Sequence, residues 1–341
     1  LRAVLGEPGA PAGRLVNPVS FKEFPMSFRH SLIALALASA LLVGCGKDEA
    51  TQTAAPAEKA AMQASATAAS AMQAQVKAFR SNDLRSLVTA VLPPAELERI
   101  RADWDKQRAE PITDEERAEF AESWGKLTAP DGVDRIMAEI EPQLAELKPQ
   151  LAGMIAMGQG MATMTIAQST DLTEPQKAQA TAFMNGLSGW LTKTDFADAA
   201  LMRKALTALA DGMRATGITQ LDDIKGLSFD QMLDKAGPAI GGVKNALAAY
   251  GFSMDAMADS VKTEVISESG DVAKIKVSYA LFDSPMSFES EMKKVDGKWY
   301  GKDMLEQLEK AEADAAAAVA AAEADASEEG VDEADDAAAE Q

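Results

Sequence analysis

Residues 261–300 read VKTEVISESG DVAKIKVSYA LFDSPMSFES EMKKVDGKWY, and along this stretch apolar residues recur at every second position. Val261, Thr263 and Val265 alternate with Lys262 and Glu264. Ile275, Val277, Tyr279 and Leu281 alternate with Lys274, Lys276 and Ser278, and Met286, Phe288 and Met292 with Ser287, Glu289 and Glu291. A period of two is that of a strand with one buried face. Turn signals separate the runs at Ser269-Gly270-Asp271 and Ser284-Pro285, and Val295-Asp296-Gly297-Lys298 is a two-residue hairpin turn leading into Trp299-Tyr300. The stretch therefore predicts a four-stranded antiparallel meander. Such a layer has to cover its apolar face. The preferred cover is the early helical region, residues 76–92; the alternative is the adjacent segment 252–257.

Upstream of the meander the period is near 3.6. From Ala57, Met62, Ala66, Ala69, Met72, Val76 and Phe79 recur at helical steps on an alanine-rich background. Ser81-Asn82-Asp83 interrupts and re-caps, and Leu84, Leu87, Val88 and Leu92 continue to Pro93-Pro94. A helix from Ala95 points Leu97, Ile100 and Trp104 inward, and Thr113-Asp114-Glu115-Glu116 is a capping box ahead of Phe120 and Trp124. Residues 133–167 place Ile136, Ile140, Leu144, Leu147 and Leu151 on one face, with Pro142 and Pro149 predicting a kink or a break. Thr173 and Ser228 open two more boxes, Thr194 reads as the cap of a helix through Leu201, Ala205, Leu209 and Met213, and Gly237-Pro238 with Gly241-Gly242 read as helix breaks. The fold class is thus α+β and mostly helical, a bundle-like body with a C-terminal sheet, spanning residues 57–305. Residues 306–341 are mostly Ala, Glu and Asp with no basic residue after Lys310, which predicts a frayed helix followed by disorder.

The chain has 33 basic and 53 acidic side chains, a net charge of −20. Residues 1–44 hold four of the former and two of the latter, so the remainder stands at 29 against 51, near −22. That field repels nucleic acid and anionic headgroups, and no nucleic-acid partner is expected. Attachment to a membrane has to come from lipid.

A charged start, Arg29-His30, precedes the apolar run from Ser31 to Val43 and then Gly44-Cys45. The run is too short for a permanent span of about 20 residues and has the basic flank and small-residue exit of a secretory signal. Leu42-Val43-Gly44-Cys45 resembles the lipobox of bacterial lipoproteins. That resemblance implies cleavage between Gly44 and Cys45, acylation of Cys45 by palmitate-type chains, and a bacterial envelope location on the periplasmic side. The other reading, a buried helix with Cys45 as a core thiol, leaves the chain's one cysteine without a purpose. Residues 26–44 are accordingly read as the signal peptide, with Met26 as its start, and residues 1–25 as an upstream extension. Residues 45–56 are small and polar and read as a tether. Gly46 stands where an Asp would signal inner-membrane retention in enteric lipoproteins, so the resemblance favours the outer membrane.

The single histidine, His30, falls in the segment expected to be removed, which excludes Ser-His-Asp triads, Cys-His dyads and the usual zinc sites from what remains. No catalytic, cofactor-binding or metal residue is predicted. Met154, Met157, Met161 and Met164 recur at steps of three, four and three, a spacing that suits a thioether copper(I) site and equally a core-facing stripe, and core packing is the expectation. Gly153, Gly158 and Gly160 follow no strand and read as close helix contacts or a break rather than a phosphate loop. Glu139 with Glu141, and Asp222 with Asp223, read as solvated faces. Trp299 and Tyr300 read as core closure, with a ligand pocket as the alternative. Aromatics are only 5%, which argues against carbohydrate processing.

The ending Lys293-Lys294-Val295-Asp296-Gly297-Lys298-Trp299-Tyr300 resembles small NTF2-like domains of bacterial lipoproteins. There a last hairpin closes a curved sheet, and an early helix, matched here by Lys77-Ala78-Phe79-Arg80-Ser81-Asn82-Asp83-Leu84, packs in its concave side. The resemblance covers about a fifth of the chain. The helical middle, residues 94–257, is far longer than that family needs, so neither its complete fold nor any site carries over. The functional expectation is a lipid-anchored, periplasm-facing protein with a binding or structural role. The alternatives are a carboxylate-dependent cell-wall enzyme and an accessory subunit of an envelope complex.

Overall fold

The structure is a computed structural model and describes residues 67–170, 172–314 and 317. The expected extension 1–25, the expected signal 26–44 with Gly44 and Cys45, the expected tether 45–56, the positions 57–66 expected to begin a helix and most of the acidic tail lie outside the described residues.

Among the described residues ten helices precede the sheet: α1 Ala68–Arg80, α2 Leu84–Val91, α3 Pro94–Ala109, α4 Asp114–Thr128, α5 Gly132–Gln168, α6 Glu174–Lys193, α7 Ala199–Ala215, α8 Leu221–Lys225, α9 Phe229–Ala249 and α10 Met254–Asp259. Strands β1 Lys262–Ser269, β2 Val272–Leu281, β3 Ser284–Val295 and β4 Lys298–Gly301 pair antiparallel in the order β1-β2-β3-β4, and helix α11 follows over residues 302–314. The mostly helical α+β class and the C-terminal meander are as the sequence periods dictate.

The sheet's cover is α1. Ala68, Ala71 and Met72 pack on Ala273, Ile275, Val277, Met292 and Trp299. Alanines let the helix lie close, and Ala68 and Ile275 are wholly buried. The apolar contact therefore comes from residues 68–72, one to two turns ahead of the expected cover 76–92, and Phe79 is half-buried elsewhere: the alanines of the first turns approach the sheet closely and take the place expected for the ring. Val265 pairs with Ile275, on the covered side, yet is 43% exposed because β1 is an edge strand, with an irregularity between Val265 and Ser267. The β2–β3 turn falls at Phe282 (φ 50°) and Asp283 (φ 61°), two left-handed residues as a type I′ turn requires. Ser284 and Pro285, expected as that turn, already pair within β3. Asp296 (φ 50°) and Gly297 (φ 79°) form the β3–β4 turn as predicted. Trp299 and Tyr300 point to opposite faces of β4 and are both buried, which is core closure.

Helix α9 is the strut of the body. It runs unbroken through Gly237-Pro238 and Gly241-Gly242, contrary to expectation. A Cβ on Gly212 of α7 would stand 2.7 Å from the Gly242 Cα and 2.8 Å from the Pro238 carbonyl, so α7 and α9 touch backbone to backbone. A Cβ on Gly237 would meet the Asn82 carbonyl at 2.6 Å, which seats the α1–α2 corner on α9. Glycine serves contact here, not termination. Two turns on from Gly237, Lys244 is 4% exposed; its Nζ donates to the Phe79 and Arg80 carbonyls, pairs with Asp255 at 3.0 Å and lies 4.2 Å from the Phe79 ring centre. A cation at the C-terminus of α1 satisfies its last carbonyls and its dipole.

The capping boxes at Thr113, Thr173 and Ser228 form as predicted. Thr194 does not cap α7. It ends α6, and the Asp198 carboxylate accepts from the Ala200 and Leu201 amides instead. Helix α11 extends past the expected edge of order at residue 306: Met304 and Leu308 pack on the cluster of Val88, Leu92, Leu97, Phe229 and Leu233, and Leu305 is buried.

Sheet and helices are joined again at the β2–β3 turn. The Phe282 ring stacks on Phe252 (4.8 Å) and Trp190 (5.3 Å) and lies 6.1 Å from Phe183. Trp190 in turn meets Phe196 edge-on at 5.1 Å, Phe196 stacks on Tyr250, and the Trp190 indole donates to the Tyr250 carbonyl at 2.8 Å. Burial, with Asp198 nearby, raises the Tyr250 phenol above its ordinary pKa.

Candidate functional site

Of the carboxylates singled out in sequence, Glu139, Asp222 and Asp223 have structural partners, and Glu141 is exposed. Glu139 pairs with Lys126 at 3.1 Å, linking α5 to α4. Asp222 pairs with Arg117 at 3.0 Å, which holds its carboxyl below the usual range. Asp223 accepts from the Thr219 amide and hydroxyl and the Gln220 amide, which also depresses it. Neither neighbouring pair forms an acid–base couple with a cleft between its members. Among the described residues no group of three or more His, Cys, Asp or Glu is placed to hold a metal ion, and no helix is long and apolar enough to cross a membrane.

The feature that departs most from expectation is on α5. This helix is continuous for 37 residues, with Pro142 and Pro149 inside it. Its first half is fastened by charge: Asp134 to Arg203 of α7, Glu139 to Lys126, and Lys148 to Asp195 at 2.6 Å. Residues 149–170 then carry no charged side chain at all. Within that segment Leu151, Ile155, Gln159, Ala162 and Ile166 are half-buried at helical spacing, on the side that meets α6.

Met154, Met157, Met161 and Met164 lie on the other side, 54, 65, 61 and 56% exposed, with Leu147 (39%) continuing the row. The expected core stripe is therefore an outward face. The sequence carries two apolar arcs on this helix, and among the described residues only the aliphatic one has a neighbour. By contrast Met137, early on α5, and Met292 in the sheet are buried at 1% and 0%.

The glycines of the segment also read differently. A Cβ on Gly153, Gly158 or Gly160 would meet nothing within 4 Å among the described residues, so none marks a close helix contact there, and none breaks the helix. Each interior glycine costs a helix about 1 kcal/mol relative to alanine. Their positions flank the row: Gly158 is four residues after Met154 and three before Met161, and Gly160 is three after Met157 and four before Met164. On a helix those are the adjacent surface positions. Among the described residues the exposed methionines thus stand beside positions that carry no side chain.

What this surface can do follows from its side chains. Thioethers are soft, polarizable, uncharged ligands on flexible stems, suited to an apolar partner or a soft cation and without acid–base capacity. Comparison with known proteins gives no match by family model, by curated sequence or by solved structure.

Proposed function

We propose that the chain is a lipid-anchored protein of the bacterial envelope, held through acyl chains on Cys45 and facing the periplasm, whose work is binding and whose binding surface is the methionine face of α5. The outward row Met154, Met157, Met161 and Met164 carries this reading. An uncharged apolar face on a chain of net charge −20, kept open by glycines with no packing role, is a costly feature for a purely structural helix. The anchor rests on the lipobox-like Leu42-Val43-Gly44-Cys45, and Gly46 after it favours the outer membrane.

The test is methionine footprinting. A limiting dose of hydrogen peroxide is applied to envelopes and, separately, to the purified protein, and oxidation is read methionine by methionine by mass spectrometry. The row should oxidise several-fold more slowly in the envelope, with half-buried Met257 as the internal reference. Equal rates in both samples contradict the binding role. The same spectra read the mature N-terminus: an unmodified Cys45, or a chain still beginning at Met26, contradicts the anchor.

A further inference from the structure

We infer that the methionine face of α5 binds a second copy of this chain, the two helices packing antiparallel about a two-fold axis at residue 159. This inference rests on the reading of that face as a binding surface and names its partner. Gln150, Met154, Met157, Met161, Met164 and Gln168 recur at steps of four, three, four, three and four, the spacing of a coiled-coil seam, and Leu147 continues it at one end. All six are exposed. The row reads the same from either end. With residue 159 laid over residue 159 of an antiparallel copy, Met157 meets Met161 of the second copy, Met154 meets Met164, and Gln150 meets Gln168. Four layers of methionine are thus closed at each end by a pair of side-chain amides, each of which both donates and accepts hydrogen bonds.

Three observations favour a second copy over another occupant. An antiparallel two-fold contact sets each residue of the row against its mirror position, and this row is symmetric in residue type; a seam that fits a different chain has no reason to be. The flanks of the seam are small and uncharged, with Gly153, Gly160 and Ala167 on one side and Gly158 and Thr165 on the other, where coiled coils that select a different partner carry charge. Gly158 and Gly160 lie within one residue of the axis, and a Cβ on either would meet nothing within 4 Å among the described residues, so the two backbones can approach closely where they cross. Finally, residues 149–170 hold no charge, so two chains of net charge −20 meet where neither is charged. The antiparallel sense follows from that net charge. The first half of α5 is fastened to α4 and α7, and a parallel pair would set those two bodies side by side. From Gln150 to Gln168 the contact runs about 27 Å along a helix about 10–12 Å across, on the order of 300 Å² of strip on each copy, which is the size of a weak interface. The row therefore stays open in dilute solution and closes where lipid-anchored copies are concentrated on one surface.

The experiment is analytical sedimentation of the full chain carrying Cys45→Ser, which removes its one thiol, across protein concentration and at low and high salt. A reversible dimer of micromolar or weaker affinity should form. Because the chains repel one another, that affinity should rise severalfold between about 50 and about 300 mM salt. Met157→Glu with Met161→Glu should weaken the dimer about tenfold or more, whereas Met157→Leu with Met161→Leu keeps the apolar volume and should retain it. Circular dichroism confirms that the variants fold. In the same thiol-free background, a mixture of Met154→Cys and Met164→Cys chains should form the mixed disulfide. Met154→Cys alone should not, because across the antiparallel axis the same position of the second copy lies about 15 Å away along the helix. A parent chain that stays monomeric at every concentration, a dimer indifferent to Met157→Glu with Met161→Glu, or a Met154→Cys chain that cross-links to itself as readily as the mixture does overturns the inference. So does a monomer that binds vesicles of phosphatidylethanolamine and phosphatidylglycerol and loses that binding in Met157→Glu with Met161→Glu. That result makes the row a lipid contact, and the row remains a binding surface as proposed above.

Discussion

Replacing Phe282 tests whether sheet and helices are one body. The ring is the sheet's anchor in the helical layer, stacked on Phe252 and Trp190 and seated against Gly186, where a Cβ would meet the Phe282 Cβ at 3.0 Å. Truncating a fully buried Phe to Ala costs about 3–5 kcal/mol, and for this half-buried ring about 2 kcal/mol is expected. The backbone adds a second, signed expectation. Phe282 sits at φ 50°, a conformation costly for any residue with a Cβ, so alanine retains the penalty and glycine escapes it. Phe282→Gly should therefore be about 0.5–1 kcal/mol more stable than Phe282→Ala, the reverse of the order in an ordinary strand or helix. Urea unfolding followed by both tryptophan fluorescence and circular dichroism gives the free energies and shows whether the probes coincide. A cost below about 0.5 kcal/mol, or loss of the sheet in a separate earlier transition, would refute the aromatic junction as the link.

Two further outcomes follow from contact and charge. Gly212→Ala puts a Cβ against the α9 backbone and should lower stability by more than about 2 kcal/mol, while Gly158→Ala, in open space, should raise it by up to about 1 kcal/mol; calorimetry of the two variants giving the same sign would contradict the contrast. The Asp83, Glu116 and Asp223 carboxyls are held below their ordinary values, chiefly by the Ser86 hydroxyl, the Thr113 amide and the Thr219 amide respectively. Depressed carboxylates add stability above the unfolded pKa and lose it as pH falls through the lower folded value, so Tm should decline below about pH 4 and less so in Asp223→Asn. A Tm flat from pH 6 to pH 3 would show these caps to be without effect.

Much of the fold was legible because local chemistry and tertiary outcome agree. The alternation from Val261 to Trp299 and the boxes at Thr113, Thr173 and Ser228 each satisfy backbone groups locally, whatever packs around them. The misreadings lie where a distant partner decides. Gly241-Gly242 reads as a break, and only Gly212, thirty residues earlier, shows it to be a contact. Phe282-Asp283 carries none of the Asn or Gly that advertise a type I′ turn, because the aromatic cluster compensates the strain. Thr194 and Asp198 are both competent caps, and their positions in the α6–α7 connection separate them. The methionine row is the same lesson for the candidate site: period shows that a face is apolar, not whether a neighbour covers it. The glycines beside the row were visible, and the signal in them was three interior helix positions with nothing to gain from lacking a side chain.

Peroxide oxidation of the purified full chain, resolved by residue, tests the outward methionine face most directly. Met154, Met157, Met161 and Met164 should oxidise at rates close to those of an unfolded peptide, while Met137 and Met292 stay unreacted until the protein is denatured. Slow, cooperative oxidation of the four together with Met137 would place the row in a core and contradict the account.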